Sequence, residues 1–147
     1  MIRPLKPKDR SAYLAMAEEF YASPVVLQPV PSHHFEITFD LLMKETPFAE
    51  GYALCLSDGT MVGYALLAKT WSQEAGGMVL WIEEIYLAPE ARGKGLGTEF
   101  FRFLEKNRKE NCLRFRLEVE KENERAVSLY RNLGFEFFPY DQMKKEF

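Results

Sequence analysis

Residues 80–107 read LWIEEIYLAPEARGKGLGTEFFRFLEKN. The first eight residues form an apolar run, too apolar for an edge strand, with Glu83 and Glu84 at its centre. Ionised carboxylates resist leaving water, so a pair inside a buried strand needs partners, solvent or a chemical task. After it come Arg92, Gly93, Lys94, Gly95, Leu96, Gly97 and Thr98, and then Leu96, Phe100, Phe103 and Leu104 recur at helical spacing. The unit is therefore strand, glycine loop, helix. Glycine accepts positive φ and lets backbone approach a ligand closely. A helix start offers unpaired N–H groups and partial positive charge. Together they form a cradle for a phosphate or diphosphate, to which Arg92 and Lys94 add charge. The alternative is a plain helix-entry turn. The spacing is neither GxxxxGK[ST] nor GxGxxG, and a dinucleotide fold needs repeated strand–helix–strand units where one is found.

Working outward, LRFRLEV at residues 113–119 alternates strictly. Leu113, Phe115, Leu117 and Val119 face inward and Arg114, Arg116 and Glu118 outward, as in a half-buried strand. It closes a parallel crossover with residues 80–87. Upstream, residues 51–71 read as two strands joined at Asp58-Gly59, a strong hairpin signal. Met1–Leu5 suits a short edge strand. Asp9 suits a helix cap before Tyr13, Met16, Ala17, Phe20 and Tyr21, and Phe35–Thr46 resumes helical spacing. SPVVLQPVPSHH, residues 23–34, carries three prolines and reads as a loop. Asn123 suits the cap of a last helix, carrying Ala126, Val127, Leu129, Tyr130 and Leu133, that Gly134 ends. FEFFPYDQMKKEF is expected to close the chain with one or two short strands. The order predicts an α+β fold, a mixed and mostly antiparallel sheet flanked by about four helices, in one domain spanning residues 1–147.

Composition narrows the function. The 147 residues carry a net charge of -3, without the basic footprint of a nucleic-acid binder. No apolar run approaches a membrane span, and the N-terminus lacks a signal peptide's apolar core, so a soluble cytoplasmic protein is expected. Cys55 and Cys112 show neither CxxC nor metal spacing, so no metal is expected and both read as buried free thiols.

The spacing Arg92-x-x-Gly95-x-Gly97, after a strand and before a helix, resembles the acyl-CoA signature of the GNAT N-acetyltransferase superfamily. NERAVSLYRNLGF, Asn123–Phe135, is similar to that family's second block, and the element order is similar too. The resemblance implies a sheet splayed at the cofactor site, with pantetheine pairing along Ile85, Tyr86 and Leu87 like an added strand. It implies the diphosphate of acetyl-CoA on the amides from Arg92 through Thr98, and a cofactor contact from Asn123. It implies Tyr130 as general acid to the leaving thiolate, an oxyanion donor near Ile85, and direct attack by a primary amine in a ternary complex. The acidic pair resembles that of polyamine-type members, which makes Glu83 the base or water-orienting group and Glu84 the second acid, holding a cationic substrate. His33 and His34 would border the acceptor, and Trp71 could wall its pocket. The family is often dimeric, so a homodimer is an allowed partner, although nothing in the sequence marks an interface.

Plainer readings stand beside these. Glu83 or Glu84 could pair with Arg114 or Arg116 across the sheet. Tyr130 and Trp71 could simply pack, Asn123 could be only a cap, and the histidines could be exposed loop residues. Adjacent strand residues point to opposite faces, so both glutamates reach one cleft only if a bulge intervenes. A peptide or protein acceptor (N-terminal or lysine) and a non-catalytic acyl-CoA-binding module are the competing functions.

Overall fold

The alternation in residues 49–87 folds as three long antiparallel strands, β2 (Ala49–Cys55), β3 (Met61–Ser72) and β4 (Gly77–Leu87). The computed structural model describes residues 1–24 and 26–147; Val25, within the proline-rich loop, lies outside the described residues. Strand β1 (Ile2–Pro4) adds antiparallel to β2, and β5 (Cys112–Leu117) adds parallel to β4, giving the order β1-β2-β3-β4-β5. The sheet is mixed and mostly antiparallel, as the order of sequence periods predicts.

Helices cover both faces. α1 (Arg10–Tyr21) and α2 (His33–Met43) bury Tyr13, Ala17, Phe35 and Phe39 against Tyr64, Leu66 and Tyr86. α3 (Leu96–Lys106) buries Phe100, Phe101 and Leu104 against Leu54, Ala65, Leu67 and Ile82 on the opposite face. α4 (Glu124–Asn132) joins the α3 side through Tyr130 and Leu133. It ends in a Schellman motif: Phe135 N–H donates to Tyr130 O at 2.9 Å, Gly134 N–H to Arg131 O at 3.0 Å, and Gly134 takes φ 87°.

Three local readings differ. Asp9 precedes α1 but does not cap it. Its carboxylate takes Arg3 at 2.7 and 3.0 Å and the Lys6 amide at 2.8 Å, a nearly buried charge satisfied by a bidentate partner. Leu113, expected inward, is exposed at the start of β5. Finally, residues 136–147 form no strand and are exposed along their length. The tail meets β5 through side chains, with Arg114 and Arg116 over the Phe138 ring, and Pro139 has no N–H to give to a ladder. Strand-like composition makes a strand only when backbone partners line up.

Cys55 and Cys112 are buried and unpaired. Among the described residues no helix is long and apolar enough to cross a membrane, and no group of three or more His, Cys, Asp or Glu could hold a metal ion.

Candidate active site

The bulge that would let both glutamates share a face is present. Leu66 of β3 pairs with Glu84, but the next residue, Leu67, pairs with Ile82, so Glu83 is one extra residue in β4. Ile82 and Ile85 both pack on the α3 side, with two residues between them instead of one. Glu83 and Glu84 therefore both leave that face and turn toward α1, where the Tyr21 phenol feels the charge of each.

Their surroundings differ. Glu84 is held by two phenols: Tyr21, the last residue of α1, donates to Oε1, and Tyr64 of β3 donates to Oε2 at 2.8 Å. Burial raises the pKa of Glu84, against the opposing pull of these two hydrogen bonds. Glu83 is exposed. Its pKa is also raised, by desolvation first and then by repulsion from Glu118 and Glu84. Burial and a nearby Glu19 push the Tyr86 hydroxyl up to about 12. Among the described residues none of Glu19, Glu83, Glu84 and Glu118 has a cationic partner. The arginines that could have paired with the central two are engaged elsewhere. Arg114 binds Glu74 at 3.0 Å, and Arg116 stacks on Trp81 with its guanidinium 4.1 Å from the ring centroid.

Directly beyond the bulge the sheet opens. Pairing of β4 with β5 ends at Ile82 and Leu117, so residues 84–87 pair with β3 alone. The opened edge runs to Leu87, whose carbonyl accepts from Arg92 Nε at 2.8 Å, and then into the glycine loop. Gly93 and Gly95 have φ of 74° and 83°, and Leu96 anchors the loop against Val62 and Ala91. Among the described residues the amides of Gly93 through Thr98 make no hydrogen bond, and the first helical bond is Glu99 N–H to Gly95 O. A Cβ at Gly95 or Gly97 would meet nothing within 4 Å. A run of free amides facing open space fits an oxyanion-rich group such as a diphosphate. The expected run is shorter by one residue, because the Arg92 amide is already bonded to Pro89 O at 3.2 Å.

Tyr130 packs on Phe101 and Phe135, with ring centroids 5.7 and 5.9 Å away, and burial raises its pKa. It lies on the α3 side and makes no hydrogen bond to either glutamate. Asn123 caps α4, its Oδ1 accepting from Ala126 N–H at 3.2 Å. His33 and His34 are exposed at the start of α2, edge to face at 4.6 Å, and neither contacts the carboxylates; the following Phe35 stacks on Tyr21 at 5.1 Å. Trp71 is exposed at the distal end of β3, roughly 17 Å along the strand from Leu66 at ~3.4 Å per residue, so it does not join this cluster.

Three further residues belong to the region. Tyr21 and Tyr64 meet Glu84 across sequence separations of 63 and 20, which local pattern does not reveal. Arg125 brings its Nη2 within 3.8 Å of where a Gly93 Cβ would lie, adding a cation to the loop. One signal was readable: Leu80, Ile82, Ile85 and Leu87 alternate with a single slip of phase, as a bulge at 83–84 requires.

A sheet edge opened beside two carboxylates thus leads directly into a helix start with free amides. Residues 13–135 match the model of the Acetyltransferase (GNAT) family, and the chain belongs to that family. It is similar to the thialysine N-epsilon-acetyltransferase of Sus scrofa, 38% identical over 78 residues that cover 50% of this chain and 44% of the relative. It is similar also to the spermine/spermidine N(1)-acetyltransferase of Bacillus subtilis, 27% identical over 54% of this chain and 55% of the relative. The chain thus spans about half the length of these curated relatives. A possible acetyltransferase from Clostridium difficile 630 shares the fold over 100% of this chain and 97% of its own, with a TM-score of 0.85 at 21% identity.

Proposed function

We propose that the chain is an acetyl-CoA-dependent N-acetyltransferase whose acceptor is the primary amine of a small cationic molecule. The observation that carries this reading is the carboxylate cluster beside the opened strand: Glu83 and Glu84 at a bulge, Glu118 near Glu83, and, among the described residues, no cation paired with any of them. Buried or crowded charges left unpaired are costly, and a cationic ligand offsets that cost. The relatives named for thialysine, spermine and spermidine support an acceptor of this kind.

Acetyl-CoA would supply the acetyl thioester. The amides of Gly93 through Thr98, with Lys94 and Arg125, would hold its diphosphate, and the free edge of Ile85–Leu87 would pair with its pantetheine arm. Glu83, exposed and with a raised pKa, is the group suited to take the proton that the ammonium must lose before its nitrogen attacks, directly or through a water. As the C–N bond forms and the C–S bond breaks, Tyr130 would protonate the departing sulfur; its raised pKa keeps it protonated at neutral pH. Glu84, a hydrogen bond accepted on each oxygen, is suited to attract the cation.

Free-thiol release from acetyl-CoA, followed against polyamines, thialysine, amino acids, aminoglycosides and peptides, tests the proposal. Release with a small di- or polycationic amine is expected. Release only with peptides would move the acceptor class to proteins, and cofactor binding without transfer to any amine would make the chain a binding module.

A further inference from the structure

The clamp on Glu84 carries a consequence for Tyr21. A phenol has one proton to donate. Tyr64 gives its proton to Oε2 of Glu84, and Tyr21 gives its own to Oε1. Both carboxylate oxygens are thereby engaged, and each phenol oxygen retains only lone pairs. The two phenols are not equivalent. Tyr64 is fully buried, wedged between Tyr13 at 5.0 Å and Tyr86 at 5.9 Å. Tyr21 is half-buried at the end of α1, its ring held between Phe20 at 5.2 Å and Phe35 at 5.1 Å, and its oxygen lies within the field of Glu83.

We propose that Tyr21 is a specificity-determining residue of the acceptor site: Glu84 takes the phenol's only proton, which fixes its oxygen as a hydrogen-bond acceptor beside Glu83 for an N–H of the incoming ammonium. The inference rests on the amine-transfer reading above. An ammonium then divides its N–H groups, one toward Glu83 and one toward Tyr21, which orients the nitrogen that will attack. Tyr64 performs the same service for Glu84 but offers no accessible oxygen, so it supports the clamp without touching substrate. The pair of tyrosines supplies its own control.

The test compares wild type, Tyr21→Phe and Tyr64→Phe with acetyl-CoA and either spermidine or thialysine, whichever wild type acetylates faster. Tyr21→Phe should raise the KM for the amine about tenfold or more, the worth of a hydrogen bond to a charged group, and leave the acetyl-CoA KM unchanged. Tyr64→Phe should move the amine KM much less. An N-trimethylated analogue of the same amine, which has no N–H at the reacting nitrogen, should inhibit wild type and Tyr21→Phe equally. Equal effects of the two Phe variants on the amine KM, or a trimethylated analogue that weakens as the primary amine does, would overturn the inference and leave amine transfer standing. An absence of thiol release by wild type with every amine would overturn both. Acetyl-CoA-induced thermal stabilisation shows that each variant is folded.

Discussion

Gly97 separates the fold's needs from the cofactor's. It lies in the first turn of α3 with an ordinary φ, and a Cβ there meets nothing within 4 Å. Replacing a helical glycine with alanine removes backbone entropy from the unfolded chain, so Gly97→Ala should stabilise the ligand-free protein by about 0.5–1 kcal/mol. At ~2–4 °C per kcal/mol for a chain near this size, Tm should rise by about 1–4 °C. The cofactor should respond in the opposite sense, because the methyl group enters the space beside the free amides. Losing one charge-assisted hydrogen bond there costs about 1.5–3 kcal/mol, a roughly 10- to 150-fold weaker Kd. Acetyl-CoA at a hundred times the wild-type Kd stabilises wild type by about 2.7 kcal/mol; the variant at that concentration should retain roughly 0.3–1.4 kcal/mol. Thermal melts with and without acetyl-CoA read both quantities. A lowered ligand-free Tm would refute the geometric argument, and an unchanged cofactor-induced shift would refute the cradle. Gly95→Ala is the contrast: at φ 83° a side chain costs about 1–2 kcal/mol, so stability and affinity should fall together.

Tyr130→Phe should lower kcat by roughly 10²-fold with acetyl-CoA affinity unchanged, measured by steady-state kinetics beside calorimetry. Arg125→Ala should raise the acetyl-CoA KM about tenfold at low salt, and the difference should shrink as ionic strength screens the contact. Burial raises the pKa of Glu84, so keeping it ionised costs folded-state stability, a cost absent below its unfolded pKa and growing as pH rises through its folded one. Glu84→Gln should therefore melt higher than wild type at pH 8, with the difference vanishing below about pH 4, under the unfolded pKa of a glutamate, while amine turnover is lost.

The sheet and helices were legible because their apolar periods are strong. β5 alternates, α3 repeats Leu96, Phe100 and Leu104, and Gly134 ends α4 as its motif requires. The glycine loop was legible because its chemistry is backbone chemistry, local to seven consecutive residues. What escaped is long-range. Tyr21 reaches Glu84 only once α1 has packed on the sheet, and no period in residues 10–21 distinguishes it from Phe20. The tail at 136–147 misled in the opposite way: its aromatic run suits a strand, yet it meets β5 by side-chain contacts alone. The opening puzzle, two charges in an apolar strand, resolves in one register slip that turns both to the same face.

Amine transfer at this site turns on the unpaired carboxylate at that slip. Glu83→Gln keeps the shape and removes the base, so acetyl-CoA binding should persist while kcat/KM for the amine falls by about 10²–10⁴-fold at neutral pH. Measured as thiol release at saturating acetyl-CoA, that loss is the expected result. Turnover of the amine at the wild-type rate by Glu83→Gln would contradict the account.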